Sequence, residues 1–335
     1  MNSRAPRRSL LGRALAAAAV GLVATLAAPS VPAAWAQAYP TKTIRIVVPT
    51  SPGGITDLLA RLTAEHLDRA FGQRAVIDNR PGAGGNLGVE ILAKAAPDGY
   101  TLGFVSAGNV VINPALVKNL PFEALDLVGV APVGNSSQLI VVSGKLPVSN
   151  LKELIALAKR EPGAINFGSA GQGSTMHLAG DLFARMAGVE LVHVPYRGAA
   201  PAVADVAAGH VQLIFVGLGA IEPLLAAGAV KALAAGQLTR LTALPDLPTA
   251  DEAGLPGYEF STWYGLMAPR GTPAEIVNAL NRRVNEMLAD PEMQKRLVGS
   301  GMEPMHDSPA EFAARLRRDN ARYLEMIQAA GLKPE

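Results

Sequence analysis

IVVPTSPGGITDLLARL, residues 46–62, is an apolar β-branched run, then a proline and a glycine pair, then a helical pattern. A glycine loop at the start of a helix presents free backbone N–H groups where the helix dipole favours negative charge, so an anion is one reading. Glycine equally serves a tight strand-to-helix turn, and the stretch alone leaves both readings open.

The same punctuation recurs twice. VIDNRPGAGGNLGVEILAKA (76–95) runs from a strand through Gly82, Gly84 and Gly85 into a helix, and INFGSAGQGSTMHLAGDLFARM (165–186) does so through Gly168, Gly171 and Gly173. If the three loops converge, their amides and the hydroxyls of Ser51, Ser169, Ser174 and Thr175 make a donor-rich cleft with little formal charge, which suits a small carboxylate. None of the loops is a nucleotide motif. GAGGNL from Gly82 and GQGSTM from Gly171 both miss G-x-G-x-x-G, and no loop ends in G-K-[ST].

Around these loops, short apolar runs alternate with helical patterns. The composition predicts strands at 43–49, 74–79, 101–106, 138–143, 164–169, 190–196, 211–216 and 230–235. That alternation implies an α/β fold with largely parallel strands, whose ligands gather at the carboxyl ends of the strands. Three long helices are well signalled. One begins at Asn150; the others open with TPAE at Thr272 and SPAE at Ser308, capping boxes with proline at the first helical position. Ile276, Leu280, Val284 and Leu288 recur every four residues as a core-facing stripe, and Arg315, Arg317, Arg318 and Arg322 read as a solvated helix face.

The first residues place the protein in a compartment. Arg4, Arg7, Arg8 and Arg13 precede an uncharged stretch, Ala14–Ala28, and the small residues of AAWAQAYP follow, the pattern of a secretory signal peptide over residues 1–36. Cleavage after Ala36 or Ala38 fits, and the paired arginines fit the twin-arginine route as well as Sec. Removing the four leader arginines from 30 Lys+Arg leaves 26 against 28 Asp+Glu, a formal net of −2. A near-neutral chain has no global field for nucleic acid or an anionic membrane. With no cysteine there is no disulfide, thiolate nucleophile or cysteine-ligated metal.

Hydrolase chemistry finds little support. No serine stands in G-x-S-x-G, no histidine pair in H-E-x-x-H, and SNLK at Ser149 matches S-x-x-K without its companion motifs, where Ser149 and Asn150 are natural helix caps. His177 is the one histidine placed for the cleft, as a polar contact more than as a general base. Asp57, in the first turn of its helix, reads as an acid complementing the dipole or, if turned inward, as a partner for a ligand ammonium.

The phrases VPTSPGGITDLLAR, VIDNRPGAGGNLGVEILAKAAPDGYTLGF, NFGSAGQGSTMHLAGDLF, HVPYRGAAPAVADVAAGHV, LPDLPTADEAGLPGYE and WYGLMAPRGTPAEIVNALN, in that order, resemble the Bug-type substrate-binding proteins of tripartite tricarboxylate transporters. The resemblance implies a periplasmic binding protein of type II-like architecture. Its two lobes, residues 37–140 with 261–335 and residues 141–260, would close on a small organic acid and deliver it to membrane permease subunits. It further implies a monomer that catalyses nothing, holds no cofactor or metal and binds no nucleic acid. Carried over by matching position, Ser51, Gly53, Gly54, Asp57, Gly84, Gly85 and Ser106 form one wall of the ligand site. Ser169, Gly173, Ser174, His177, Tyr196 and Asp205 form the other. Leu127, Val128 and Gln212 depart from the usual pattern. Two alternatives stay open: a secreted hydrolase or lyase using His177 with Asp57 or Asp205, and a sensor that presents its ligand to a signalling partner.

Overall fold

The computed structural model describes residues 39–118, 120–123, 126–329 and 331–332, and residues 42–335 form one compact unit. The expected leader and its cleavage positions lie outside the described residues. Each apolar run read as a strand becomes one: β1 (Ile44–Val48), β2 (Ala75–Asn79), β3 (Thr101–Ser106), β5 (Leu139–Ser143), β6 (Asn166–Ser169), β7 (Val192–Pro195), β8 (Leu213–Val216) and β9 (Val230–Ala235). Three further strands are β4 (Leu127–Ser137), β10 (Ser261–Pro269) and the two-residue β11 (Glu303–Pro304).

The strands form two sheets, ordered β11-β4-β10-β3-β1-β2 and β7-β6-β8-β5-β9. β1 pairs parallel with β2 and β3, and β6 with β7 and β8. β10 runs antiparallel to β3 and β4, β11 to β4, and β5 to β8 and β9. Both sheets are therefore mixed, which corrects the expectation of mostly parallel ones. The physical reason is the connectivity. β5 and β10 each arrive from the other sheet through a crossover, and each runs against the strands it joins.

The outgoing crossover is a single residue, Gln138, between β4 and β5; the return is the segment 236–260 between β9 and β10. The two are tied by backbone bonds. Gln138 N donates to Phe260 O (3.0 Å), Gly236 N to Gln138 O (3.1 Å) and Phe260 N to Gly236 O (2.6 Å). Gly236 is there because nothing larger fits: a Cβ would sit 2.4 Å from Gln138 O and 3.0 Å from Phe260 O. The last helix, Pro309–Ala329, clasps the return crossover. Arg322 pairs with the Glu259 carboxylate and donates to its carbonyl, Tyr323 donates to Ser261 O, and Trp263 donates to Asp319. Arg315 pairs with Asp307. Only Arg317 and Arg318 of the four arginines face solvent, so the expected solvated face is half a packing face.

Helix ends follow the sequence with one exception. Asn150 caps its helix by accepting from Glu153 N, and Ser308 and Glu311 close a reciprocal box. The box expected at Thr272 does not form, because its hydroxyl donates backward to Pro269 O (2.8 Å). On that helix, Ala274–Ala289, Leu280, Val284 and Leu288 are buried as predicted. No helix among the described residues is long and apolar enough to cross a membrane.

Gly236→Ala is expected to lower the unfolding free energy by about 1–3 kcal/mol, because the clashing atoms are backbone carbonyls held by the crossover itself. Urea denaturation reads this directly, and an unchanged midpoint would mean that the crossover yields freely.

Candidate functional site

A cavity of about 530 Å³ lies between the two sheets. Gly53, Gly54, Ile55 and Leu58 line it from the β1 side, Thr175 and Met176 from the helix after β6, and Val216, Gly217 and Gly219 from the end of β8. Two helices, Ile55–Phe71 and Thr175–Ala187, thus begin at its wall from opposite sheets. Their first amides lack partners within the helix and bring the positive ends of both dipoles to one space.

Two of the three glycine loops, the first and the third, are held by a side chain four residues downstream. In the first, Gly53 N donates to Asp57 Oδ2 (3.0 Å), and the same carboxylate accepts from Arg61 (2.9 and 3.1 Å) and Asn79 Nδ2 (2.9 Å). The Arg61 bonds first, with those of Gly53 and Asn79, hold the Asp57 carboxyl down to about 2 against the opposing effect of burial. Asp57 is buried and its oxygens are taken, so it braces the loop rather than facing a ligand. Gly53 has φ +94°, open to glycine at little strain, whereas Gly54 has φ −83° and a Cβ there would meet nothing within 4 Å.

The third loop repeats this with different chemistry. Gly173 N donates to His177 Nδ1 (3.0 Å), which therefore carries no proton; the remaining ring N–H is on Nε2, 3.3 Å from Asp181 Oδ2. His177 stacks on His193 at 3.8 Å, and His193 on Phe167 at 4.9 Å. Ser169 is fully buried: its hydroxyl lies 2.6 Å from His193 Nε2 and accepts from Gly171 N. Ser174 is the helix N-cap, accepting from His177 N at 3.3 Å. Burial lowers the His177 imidazole, and burial followed by the neighbouring His177 holds His193 down to about 4.

The second loop packs between its neighbours. A Cβ on Gly88 would touch Pro49 Cα at 2.7 Å, Gly84 O accepts from Asn113 Nδ2 (2.8 Å), and Ser106 Oγ donates to Asn109, whose amide would lie 2.5 Å from a Cβ on Gly85. Gly173 in turn abuts Leu116, 2.9 Å from a Cβ position. The second and third loops meet along the Asn109–Leu116 segment, and the second packs against Pro49 at the start of the first. Ser51 is exposed in the first loop. Tyr196 donates to Asp205 (2.6 Å), and Asp205 also faces His210 (3.4 Å). That pair is satisfied by its own neighbours, and neither residue lines the cavity.

Of the residues carried over from the resemblance, Gly53 and Gly54 line the cavity; Ser136, Gln138, Gly217 and Tyr264 line it without having been singled out. The matching four-residue spacing Gly53/Asp57 and Gly173/His177 is the sequence signal that marks the braces. The pairing of His177 with Asp57 or Asp205 that a hydrolase would use is not assembled, since all three side chains are engaged elsewhere. Gln212, the departure noted in the sequence, accepts from Asn166 N. Among the described residues no cluster of three or more histidines and carboxylates could hold a metal ion.

Residues 59–332 match the TctC family, described as the tripartite tricarboxylate transporter family receptor. The chain belongs to that family. It is 34% identical over 300 residues to Protein BugT of Bordetella pertussis, covering 89% of this chain and 92% of the relative. Among solved structures, Rpa4515 of R. palustris with adipate is 38% identical, covers 89% of this chain and 100% of that one, and superposes with a TM-score of 0.77. MatC from Rhodopseudomonas palustris with bound malate is 32% identical, with coverage of 86% and 100% and a TM-score of 0.71. The protein is thus a solute-binding receptor of Bug type with the two-lobed α/β fold of its relatives.

The two imidazoles give a stability signature. Both lie below their ordinary value when folded, while in the unfolded chain they titrate near ~6.5, so between about pH 6.5 and 4 the unfolded state binds more protons and stability falls as pH is lowered. The Asp57 brace stays ionised through that window. Melting temperature should decline from pH 7 to 4.5, and His193→Phe, which keeps the stack, should flatten the decline; equal slopes would contradict the buried neutral pair.

Proposed function

We propose that the protein captures a small organic acid in the cavity between its sheets, in the periplasm, and hands it unchanged to membrane permease subunits. The observation that supports this reading is the approach of two glycine-started helices, from opposite sheets, to one cavity. Backbone N–H groups and hydroxyls would hold a carboxylate there without a cationic side chain; among the described lining residues there is no lysine or arginine. The binding set is Gly53, Gly54 and the amides of Ile55 and Thr56 on one side. On the other stand Ser174, Thr175 and the amide of Met176, with Asp57 and His177 fixing the two loops. Lobe boundaries at the two crossovers, residues 37–140 with 261–335 and residues 141–260, fit the same reading, because closure would then pivot on Gln138 and the segment around Gly236. The adipate and malate held by its structural relatives place small dicarboxylates first among the acids to be tried.

Thermal-shift screening of the mature chain over organic acids, then titration calorimetry with the best, tests this. Ligand at ~100 times its dissociation constant should add about 2.7 kcal/mol of stability, and mass spectrometry should recover the acid chemically unchanged. Gly54→Val projects into the cavity from an unstrained position, so it should fold and lose at least about tenfold in affinity, some 1.4 kcal/mol. Thr175→Val deletes a hydroxyl at constant shape and should weaken binding by about 1 kcal/mol. Ser174→Ala is the less direct probe, because losing that cap costs about 0.5–2 kcal/mol of stability. Parent-like binding by both Gly54→Val and Thr175→Val would move the carboxylate elsewhere.

A further inference from the structure

One flank of the cavity is a seam where the chain after β8 meets the chain before β11. Gly217 and Gly219 line the cavity from the second sheet, and Ser300 and Met302 from the first. The approach is at backbone distance. A Cβ on Gly219 would lie 3.2 Å from Ser300 O, and one on Gly301 would lie 3.0 Å from Gly219 N and 3.1 Å from Leu218 Cβ. With glycine on both sides, no side chain holds the two segments apart. Beside this contact Glu303 reaches across: its carboxylate oxygens accept from Thr242 N (2.7 Å) and Thr242 Oγ1 (2.8 Å). Glu303 belongs to the first sheet through the pairing of β11 with Asn135 of β4. Thr242 belongs to the second, because its neighbour Leu241 is buried in the apolar cluster that holds Leu139, Val216 and Leu218. The pair therefore joins the two sheets rather than bracing one loop, and two hydrogen bonds to one carboxylate are among the stronger kinds.

A groove of about 330 Å³ lies against the same seam, lined by Leu218, Leu225, Leu244 and Val298 among others. Glu222 and Gly299 line both the groove and the cavity, so residues 218–222 and 299 form the wall between them. We propose that this seam fastens the ligand-bound receptor, and that Glu303, by engaging Thr242 across it, is a positioning residue that sets how long the acid stays. The proposal rests on the receptor reading above and adds to it a residue that touches no ligand. An interaction made only once the lobes have closed is absent from the encounter that precedes closure, so losing it speeds release and leaves association unchanged. Parting the seam joins the cavity to the groove, which gives the acid a way out.

The test is calorimetry and stopped-flow kinetics on the chain lacking residues 1–36, with adipate, malate and the tightest-binding acid of the thermal-shift screen as probes. Glu303→Ala should weaken binding about tenfold, with the whole loss appearing as faster dissociation. Thr242→Val deletes the hydroxyl at constant shape and keeps the N–H, so it should cost about threefold. The double variant should be no weaker than Glu303→Ala alone, because the hydroxyl has no partner once the carboxylate is gone. Gly219→Ala puts a methyl into the seam from backbone outside the left-handed region, and should raise the dissociation rate even if Glu303→Ala folds poorly. Parent-like dissociation in both Glu303→Ala and Gly219→Ala, a loss carried by slower association, or additive effects in the double variant overturns the seam's role while the receptor reading stands. A parent chain that binds no acid of the screen overturns the receptor reading and the seam's role with it.

Discussion

Three backbone hydrogen bonds among Gln138, Gly236 and Phe260 join the two crossovers, and the rest of the molecule follows from where they lie. They fix the points at which the chain leaves one sheet and returns to it, so the strand ends that carry the glycine loops come to opposite walls of one cavity. They also explain why both sheets are mixed, since a strand entering from the other sheet must run against those already there. The last helix, through Arg322, Tyr323 and Asp319, holds the return segment in place. One apolar cluster extends from Phe167 and Phe183 through Tyr258 to Trp263, Phe312 and Tyr323.

The two loops reach a similar geometry with opposite electrostatics. An aspartate braces Gly53 as an anion stabilised by Arg61 and Asn79; a neutral imidazole braces Gly173 and is kept neutral by burial against a second imidazole. In both, a side chain on the first turn of the helix satisfies one loop N–H, and in the third loop Ser174 N and His177 N are also taken, by Gly171 O and Ser174 Oγ. Holding the loops open in this way reduces the ordering that a ligand would otherwise have to impose.

Much of this was legible in the sequence, and what was not has physical reasons. Six of the eight apolar runs became largely buried strands, where burial on both faces needs continuous hydrophobicity, and the other two, β2 and β7, became part-exposed edge strands. β4 and β10 escaped because Gly129, Pro132, Gly134 and Gly265 read as breaks. In the structure Gly129 and Gly265 are demanded by the Phe312 ring and by Ala131 O, and the pairing of β4 with β10 shifts register beside Gly265. The glycine loops were readable from repetition. The braces were marked only by that four-residue spacing, because Asp57 and His177 are ordinary residue types whose role depends on a backbone amide four positions earlier. Tyr196 and Asp205 looked like cleft residues from the resemblance, yet satisfy each other. Gln138 was invisible for the opposite reason: a glutamine beside an apolar strand carries no motif, and only its place in the crossover marks it out.

The central claim is that both glycine loops hold one ligand. Titrating ¹⁵N-labelled protein that lacks residues 1–36 with the best acid and following the amides of residues 53–56 and 173–177 tests it most directly. The account predicts that both segments shift together and saturate with one dissociation constant. Shifts confined to one loop, or saturation with two different constants, would contradict it.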